Sequence, residues 1–363
     1  MKISKFRSQI VRVPADEALA GGPTQPGATR DFVTLRVGTD AGIEGIGYTF
    51  FGAALTGALK AAVDALGELA IGEDPMRTEA VAAKLRTAAA GSGPGGILTL
   101  ALSAIDIALW DIRGKALNLP LWRMVGGHRE RVPTYASGAL MRTFPLEHLV
   151  KAAHRLVEKG FRQMKTQLAL PGDTSPAIEV DRIRKVRESI GPGIDLMCDI
   201  NQRWRVEQAI DIGSRIEDVR LFWLEDVTTA DDYQGLARVA DALATPVCGG
   251  EYLYGPAPFR QMMEARSVDI IMIDLMRSGG ITGWLKIAGM AEAYNLPVVS
   301  HLVPEIHVHL IAAIPNGLTV EYMPWTFPLF EEVPQPVKGE LSVPKKPGLG
   351  LKFDEAALKR YGA

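Results

Sequence analysis

The chain has 363 residues, 40 Lys+Arg against 42 Asp+Glu, six His and two Cys, with a net charge of −2 and 47% apolar residues. That balance excludes a protein working mainly on phosphate backbones or anionic membranes, and the apolar content excludes disorder. Two cysteines build neither a disulfide framework nor a four-thiolate zinc site, so a soluble globular protein of one large or two smaller domains is expected.

The start, MKISKFRSQIVRV, lacks the unbroken apolar core of a signal peptide, which predicts a cytoplasmic location. Strands are expected at Ile3–Val13, Asp31–Gly38 and Ile43–Phe50, the last two joined by the turn Thr39-Asp40-Ala41-Gly42. Helical patterns follow at Ala54–Ala70, Arg77–Ala90 and Leu98–Leu117. The apolar stretch Gly96–Trp110 is too short to span a bilayer and carries Asp106, so it reads as a buried helix. Strands followed by helices predict an α+β domain over residues 1–125. Between the first two strands, Gly21–Gly27 holds three glycines and two prolines. It reads as a loop able to cover a site.

From Arg131 the pattern becomes short apolar runs alternating with amphipathic helices. The runs are Val132–Ser137, Gln163–Leu168, Asp195–Ile200, Leu221–Glu225, Pro246–Gly249, Asp269–Leu275, Pro297–Ser300 and Thr319–Glu321. Leu146, Leu149, Val150, Ala153, Leu156 and Val157 make one helix's apolar stripe, with His148 and His154 off it. Eight strands joined by helices predict an α/β fold closed as a (β/α)8 barrel over residues 126–330. The doubly wound alternative needs a glycine signature after its first strand, and Tyr135-Ala136-Ser137-Gly138 is not one. Residues 331–363, rich in Pro, Gly and Lys, are expected to pack back on the first domain.

The strand ends carry the chemistry. Asp199, Glu225, Glu251, Asp274, His301 and Glu321 follow one another at intervals of 26, 26, 23, 27 and 20 residues. Each interval is about one βα unit, so all six side chains should meet in one mouth of the barrel. A single acidic residue at a strand end is usually a helix cap. Six in register are not explained that way. Asp226 is expected to be turned away from Glu225 by strand alternation. Three converging carboxylates, Asp199, Glu225 and Glu251, call for a cation, and oxygen-only ligands favour Mg²⁺, with Mn²⁺ as a substitute, over zinc. His301 is the candidate base, with Asp274 orienting its ring. Lys165 ends the second strand, where it could steady an anionic substrate. His307 and His309 read as structural, and Cys198 and Cys248 as packing.

These strings identify a family. Ala101–Gly127, Asp199-Ile200-Asn201, Trp223-Leu224-Glu225-Asp226, Gly249-Gly250-Glu251, Asp274–Gly280 and Val299-Ser300-His301 resemble the mandelate racemase/muconate lactonizing group of the enolase superfamily. The resemblance covers nearly the whole chain. It implies a modified (β/α)7β barrel under an α+β capping domain, Mg²⁺ on Asp199, Glu225 and Glu251, and often an oligomer. It also implies abstraction of the proton α to a carboxylate. His301–Asp274 matches the family's catalytic dyad, and Glu321 its carboxylic-acid donor, which must be protonated when it acts. Asn201 and Ser137 fall where the family contacts substrate oxygens.

Where racemases of the group carry Lys-x-Lys, this chain has Lys165-Thr166-Gln167, and glutamine neither takes nor gives a proton at neutral pH. A one-base reaction is therefore expected: dehydration of a sugar acid to a 2-keto-3-deoxy acid. Cycloisomerisation of a lactone, or racemisation or epimerisation, is the alternative. Gln167, Asn201, Gln202, Thr24 and Arg30 offer hydrogen bonds for such a polyol. Phe50, Phe51 and Trp204 offer apolar contact. A small-molecule carboxylate is the expected partner, with neither nucleic acid nor membrane.

Overall fold

The computed structural model describes residues 1–23, 27–172 and 175–363. The first layer is an antiparallel sheet of β1 (Ile3–Pro14), β2 (Thr29–Thr39) and β3 (Glu44–Thr49), in that spatial order. The β2–β3 hairpin closes at the expected turn, where Gly42 N–H donates to the Thr39 carbonyl at 3.1 Å. Three helices follow, α1 (Thr56–Ala70), α2 (Thr78–Ala88) and α3 (Gly96–Leu117). Fifteen of the 22 residues of α3 are buried, because the helix is wedged between this sheet and the second domain. A helix enclosed on both sides loses its polar face, which is why its sequence reads as one apolar run. Asp106 faces the second domain, accepting from Thr282 N–H at 2.9 Å.

The second domain alternates strands and helices in chain order: β4 (Arg131–Leu140), α4 (Leu146–Glu158), β5 (Gln163–Gln167), α5 (Pro176–Ile190), β6 (Asp195–Asp199), α6 (Val206–Arg215), β7 (Trp223–Glu225), α7 (Tyr233–Ala242), β8 (Val247–Gly249), α8 (Pro256–Glu264), β9 (Ile270–Asp274), α9 (Ile281–Ala293), β10 (Val298–His301), α10 (Pro304–Ala313) and β11 (Val320–Tyr322). The strands pair in parallel from β4 through β10, and β11 pairs with β4. The barrel expected from the alternating runs is therefore present, with one seam. Between β10 and β11 the continuous ladder gives way to a single bridge, Val298 to Gly317, and to Glu321 N–H donating to Ser300 Oγ at 2.9 Å.

Side chains alternate across each strand, and the inward set fills the barrel: Tyr135, Met197, Trp223, Cys248, Met272 and Val299 form one inner cluster. The next inward position, two residues on, is Asp199 after Met197, Glu225 after Trp223, Asp274 after Met272 and His301 after Val299. The apolar plug thus forms the floor under a polar layer at the strands' C-terminal ends.

The C-terminal segment touches both domains. Strand β12 (Glu340–Ser342) pairs antiparallel with the start of β4, and helix α11 (Glu355–Tyr361) lies against β1. Gly362 bridges to Val11, and Leu349 N–H donates to Asp111 on α3. Among the described residues, no helix is long and apolar enough to cross a membrane.

Candidate active site

A cavity of about 210 Å³ opens at the C-terminal ends of the barrel strands. Lys165, Gln167, Asp199, Asn201, Glu251, His301, Glu321 and Ser137 line it from the barrel; Phe51 closes it from the first domain. Glu225 and Asp274 stand just behind this lining, both fully buried.

Asp199, Glu225 and Asp226 place carboxylate oxygens within 4.8 Å of one another. Asp226 corrects the expectation from strand alternation: its φ of 45° ends the strand pattern, and its carboxylate joins the cluster instead of turning away. Among the described residues, buried Asp226 Oδ2 has no hydrogen-bond partner. Glu225 accepts from Trp223 Nε1 at 2.8 Å and pairs with Lys165 Nζ at 2.5 Å. Burial, reinforced by the neighbouring Asp199 and Glu251 charges, raises Glu225 to about 8 despite Lys165. Asp226 is raised well above its ordinary range, first by burial and then by Glu225 and Asp199. Glu251 reaches the layer through Gly250, whose φ is 125° and where a Cβ would lie 2.6 Å from the Met272 carbonyl. Only glycine fits both constraints. Burial lifts Glu251 to about 8 as well, and its Oε2 lies 3.4 Å from His301 Nε2. Buried carboxylates held this far above their usual range are short of positive charge. Their all-oxygen donor set fits a hard divalent cation.

His301 and Asp274 are direct neighbours in the β9–β10 register, and His301 Nδ1 meets Asp274 Oδ2 at 2.7 Å. Arg277 N–H donates to the other Asp274 oxygen at 2.7 Å. Burial favours the neutral imidazole, but Glu251 and Asp274 outweigh it and raise His301 to about 9. With Nδ1 bound to Asp274, Nε2 is the nitrogen that faces the cavity. Phe51 stacks parallel to the imidazole at 6.2 Å, and the Arg277 guanidinium lies 4.0 Å from the Phe51 ring centroid. Phe51 has φ of 72°, a strained conformation for an aromatic residue, so the first domain holds it against the barrel at a cost.

Lys165 and Glu321 are paired with each other. Lys165 is buried and bridges Glu225 and Glu321, the latter at 3.0 Å. Burial opposes its charge, but the two carboxylates hold its ammonium well above the usual range. Glu321 was expected as a protonated donor. In the structure burial opposes its charge, but Lys165, His301 and the Leu302 N–H, which donates at 2.6 Å, together lower its pKa. Asn201 does more than face the cavity: its backbone N–H and side-chain amide both donate to Asp199 at 2.7 Å. Gln167 donates to Asn201 at 3.3 Å. Ser137 sits at the irregularity in β4, its hydroxyl 3.6 Å from Met323 sulfur.

Arg30 is not in this cavity. It pairs with Glu17 and stacks 4.1 Å over Trp325, lining an outer opening instead. Gln202 caps Ala230 N–H, and Trp204 is buried, so neither reaches the cavity. Thr24 lies outside the described residues. Tyr252, Arg277, Met323 and Trp325 line the cavity without a sequence signal, since each stands on a loop after its strand where no periodicity marks direction.

Two family models cover the chain. The enolase C-terminal domain-like model matches residues 148–357, and the mandelate racemase/muconate lactonizing enzyme N-terminal domain model matches residues 17–126. The chain belongs to the mandelate racemase/muconate lactonizing enzyme family. It is thus an enzyme of the enolase superfamily, as the strand-end motifs implied. Two relatives of this family are each 32% identical. L-talarate/galactarate dehydratase of Salmonella typhimurium aligns over 99% of this chain and 89% of its own. The 3,6-anhydro-alpha-L-galactonate cycloisomerase of Streptomyces coelicolor aligns over 99% of both. Among solved structures, L-talarate dehydratase from Polaromonas sp. JS666, complexed with Mg and L-glucarate, superposes with a TM-score of 0.92. It is 31% identical and covers 100% of this chain and 97% of that one.

Proposed function

We propose that this enzyme dehydrates a sugar acid to its 2-keto-3-deoxy acid, using one base and a divalent cation, Mg²⁺. The carrying observation is the asymmetry of the cavity: His301, oriented by Asp274, faces it from β10, while β5 presents Gln167 and a Lys165 whose ammonium is held by Glu225 and Glu321, neither of them a free base. Asp199, Glu225 and Glu251 would hold the cation, with Asp226 beside them. When bound, it stabilises the negative charge that develops on the substrate carboxylate. The solved L-talarate dehydratase with Mg and L-glucarate supports both the metal and the substrate class.

The chain's own groups then divide the work. His301 Nε2 takes the proton from the carbon α to the carboxylate, and Asp274 stabilises the imidazolium through Nδ1. The electron pair left on the α carbon forms the carbon–carbon double bond as the β carbon–oxygen bond breaks. The departing hydroxyl takes a proton from the imidazolium, so His301 ends neutral and water leaves. Return of the resulting enol to the ketone completes the 2-keto-3-deoxy acid. Lys165, paired with Glu321, keeps a fixed positive charge beside the carboxylate site. Phe51 and Trp325 shield the cavity from bulk water.

The test is a panel of aldonic and aldaric acids incubated with the protein and Mg²⁺. The reading expects water loss and a 2-keto acid from at least one of them, and His301→Asn should abolish it. The Streptomyces relative supports a second reading, cycloisomerisation with the same dyad. A product isomeric with its substrate, formed without loss of water, would replace the first reading by the second.

A further inference from the structure

The two residues after His301 are unusual. Leu302 and Val303 have φ of 54° and 48°, consecutive left-handed conformations without a glycine, one of them β-branched. Each costs about 1–2 kcal/mol, so the turn persists only where its surroundings hold it. Two bonds hold the backbone of Leu302, one on each side of its Cα. Its N–H donates to Glu321 Oε2 at 2.6 Å, and its carbonyl lies 2.6 Å from Nδ1 of His307 on α10. A carbonyl offers no proton, so Nδ1 must be the protonated nitrogen. Nε2 is then left without a hydrogen, and it has no partner among the described residues. Full burial lowers His307 to about 4, so the ring stays neutral. His309, two residues on, differs: its nitrogens meet Trp122 N–H and the Leu349 carbonyl, far from the cavity.

We propose that His307 is a positioning residue: by donating from Nδ1 to the Leu302 carbonyl it locks the left-handed turn after His301 and fixes how Glu321 faces the cavity. The lock acts through the two peptide groups that flank the Leu302 Cα. With the carbonyl held on one side and the N–H on the other, φ and ψ of Leu302 are fixed, and the N–H bond to one Glu321 oxygen leaves the other for Lys165 at 3.0 Å. Released at the carbonyl, the turn would relax its strain by rotating about the Leu302 backbone bonds, which would loosen the N–H bond to Glu321 and the fixed exit of His301 from β10. The catalytic weight given to these groups rests on the dehydratase reading above.

Two variants separate the donor from the ring. His307→Phe keeps the ring's bulk without a donor. His307→Asn keeps a donor near the position of Nδ1 with less bulk. The expected result is a kcat lowered roughly 10- to 100-fold in His307→Phe, as misplacement of a site group costs, with KM within about threefold and most of the rate recovered in His307→Asn. A second measurement needs no substrate: hydrogen exchange at the Leu302 amide should quicken in His307→Phe and stay slow in His307→Asn. If no sugar acid reacts, the exchange data still decide the lock. If His307→Phe keeps both its kcat and its Leu302 protection, the lock is wrong while the dehydratase reading stands. Equal impairment of Asn and Phe variants, both folded, would also overturn it. Should His307→Phe fail to fold, ¹⁵N spectra of the native protein decide: a proton on His307 Nε2 rather than Nδ1 refutes the proposal.

Discussion

Charge balance governs the groups above Trp223. Glu225, Asp226, Glu251 and Glu321 crowd around one ammonium, Lys165, and three of the four carboxyls are raised by burial. A divalent cation would supply what is missing, and its arrival should be felt at His301. The imidazole is held at about 9 chiefly because Glu251 and Asp274 outweigh burial. A cation sharing the Glu251 charge removes part of that pull. NMR titration of His301 should therefore show its pKa falling from near 9 toward neutrality as Mg²⁺ saturates the protein, with a proton released on binding. An unchanged titration would separate His301 from the metal. Asp226 makes a second residue-level prediction. Asp226→Asn keeps the shape but removes a charge from the cluster, so the Mg²⁺ dissociation constant measured by calorimetry should rise roughly tenfold or more. Of this site, the residues on strand ends were legible, because alternation and βα spacing fix their direction. Asp226 was misread because a single left-handed residue breaks alternation. The ion pairs of Lys165 were not legible either, since they depend on which neighbours reach it across the barrel.

At the scale of elements, the expected strands and helices fall on observed ones to within a few residues, and the differences have causes. Strand β4 runs on to Leu140, beyond the expected Ser137, through an irregularity in its pairing with β5. No apolar alternation marks that extension. Strand β3 shows why a sequence can read weakly where packing is tightest. Its Gly45 and Gly47 face α3, and a Cβ built at Gly47 would lie 2.0 Å from the Ala104 carbonyl. Strand and helix backbones touch there. Gly47→Ala should destabilise the protein by about 3 kcal/mol or prevent folding, whereas Gly57→Ala, with nothing within 4 Å in exposed helix, should gain up to about 1 kcal/mol. Chemical denaturation of the two variants checks the contrast.

For the whole molecule, the joint between the domains turns on Asp106. Its carboxylate accepts from Thr282 N–H at the start of α9 and from the Thr282 hydroxyl, which itself accepts from Trp110 Nε1 at 2.9 Å. Burial outweighs these bonds and raises Asp106 from 3.8 to about 6. A carboxyl with a raised folded pKa stabilises fully below its unfolded pKa, and that contribution is lost as pH rises through about 6. Thermal melts from pH 4 to 8 should therefore show native protein losing ground to Asp106→Asn, by at most about 3 kcal/mol. A difference independent of pH would mean that Asp106 is ionised throughout. Partnership between the domains was the least legible feature, because a buried Asp inside an apolar helix reveals that it has a partner but not which one.

The seam between β10 and β11 has a consequence for how the enzyme comes into being. Asp199, Glu225 and Glu251 ride on successive βα units joined by unbroken ladders. Their approach needs only local chain closure. Glu321 meets His301 only when the last strand pairs with the first and the gap beside β10 is bridged, a closure with a far larger entropic barrier. During refolding the cation-holding arc should thus mature before the His301 and Glu321 side of the site, and pulse labelling should find the Met197 amide protected before those of Leu302 and Glu321. A nascent barrel could then already hold its metal while still inert, its chemistry withheld until the chain has been read almost to its end.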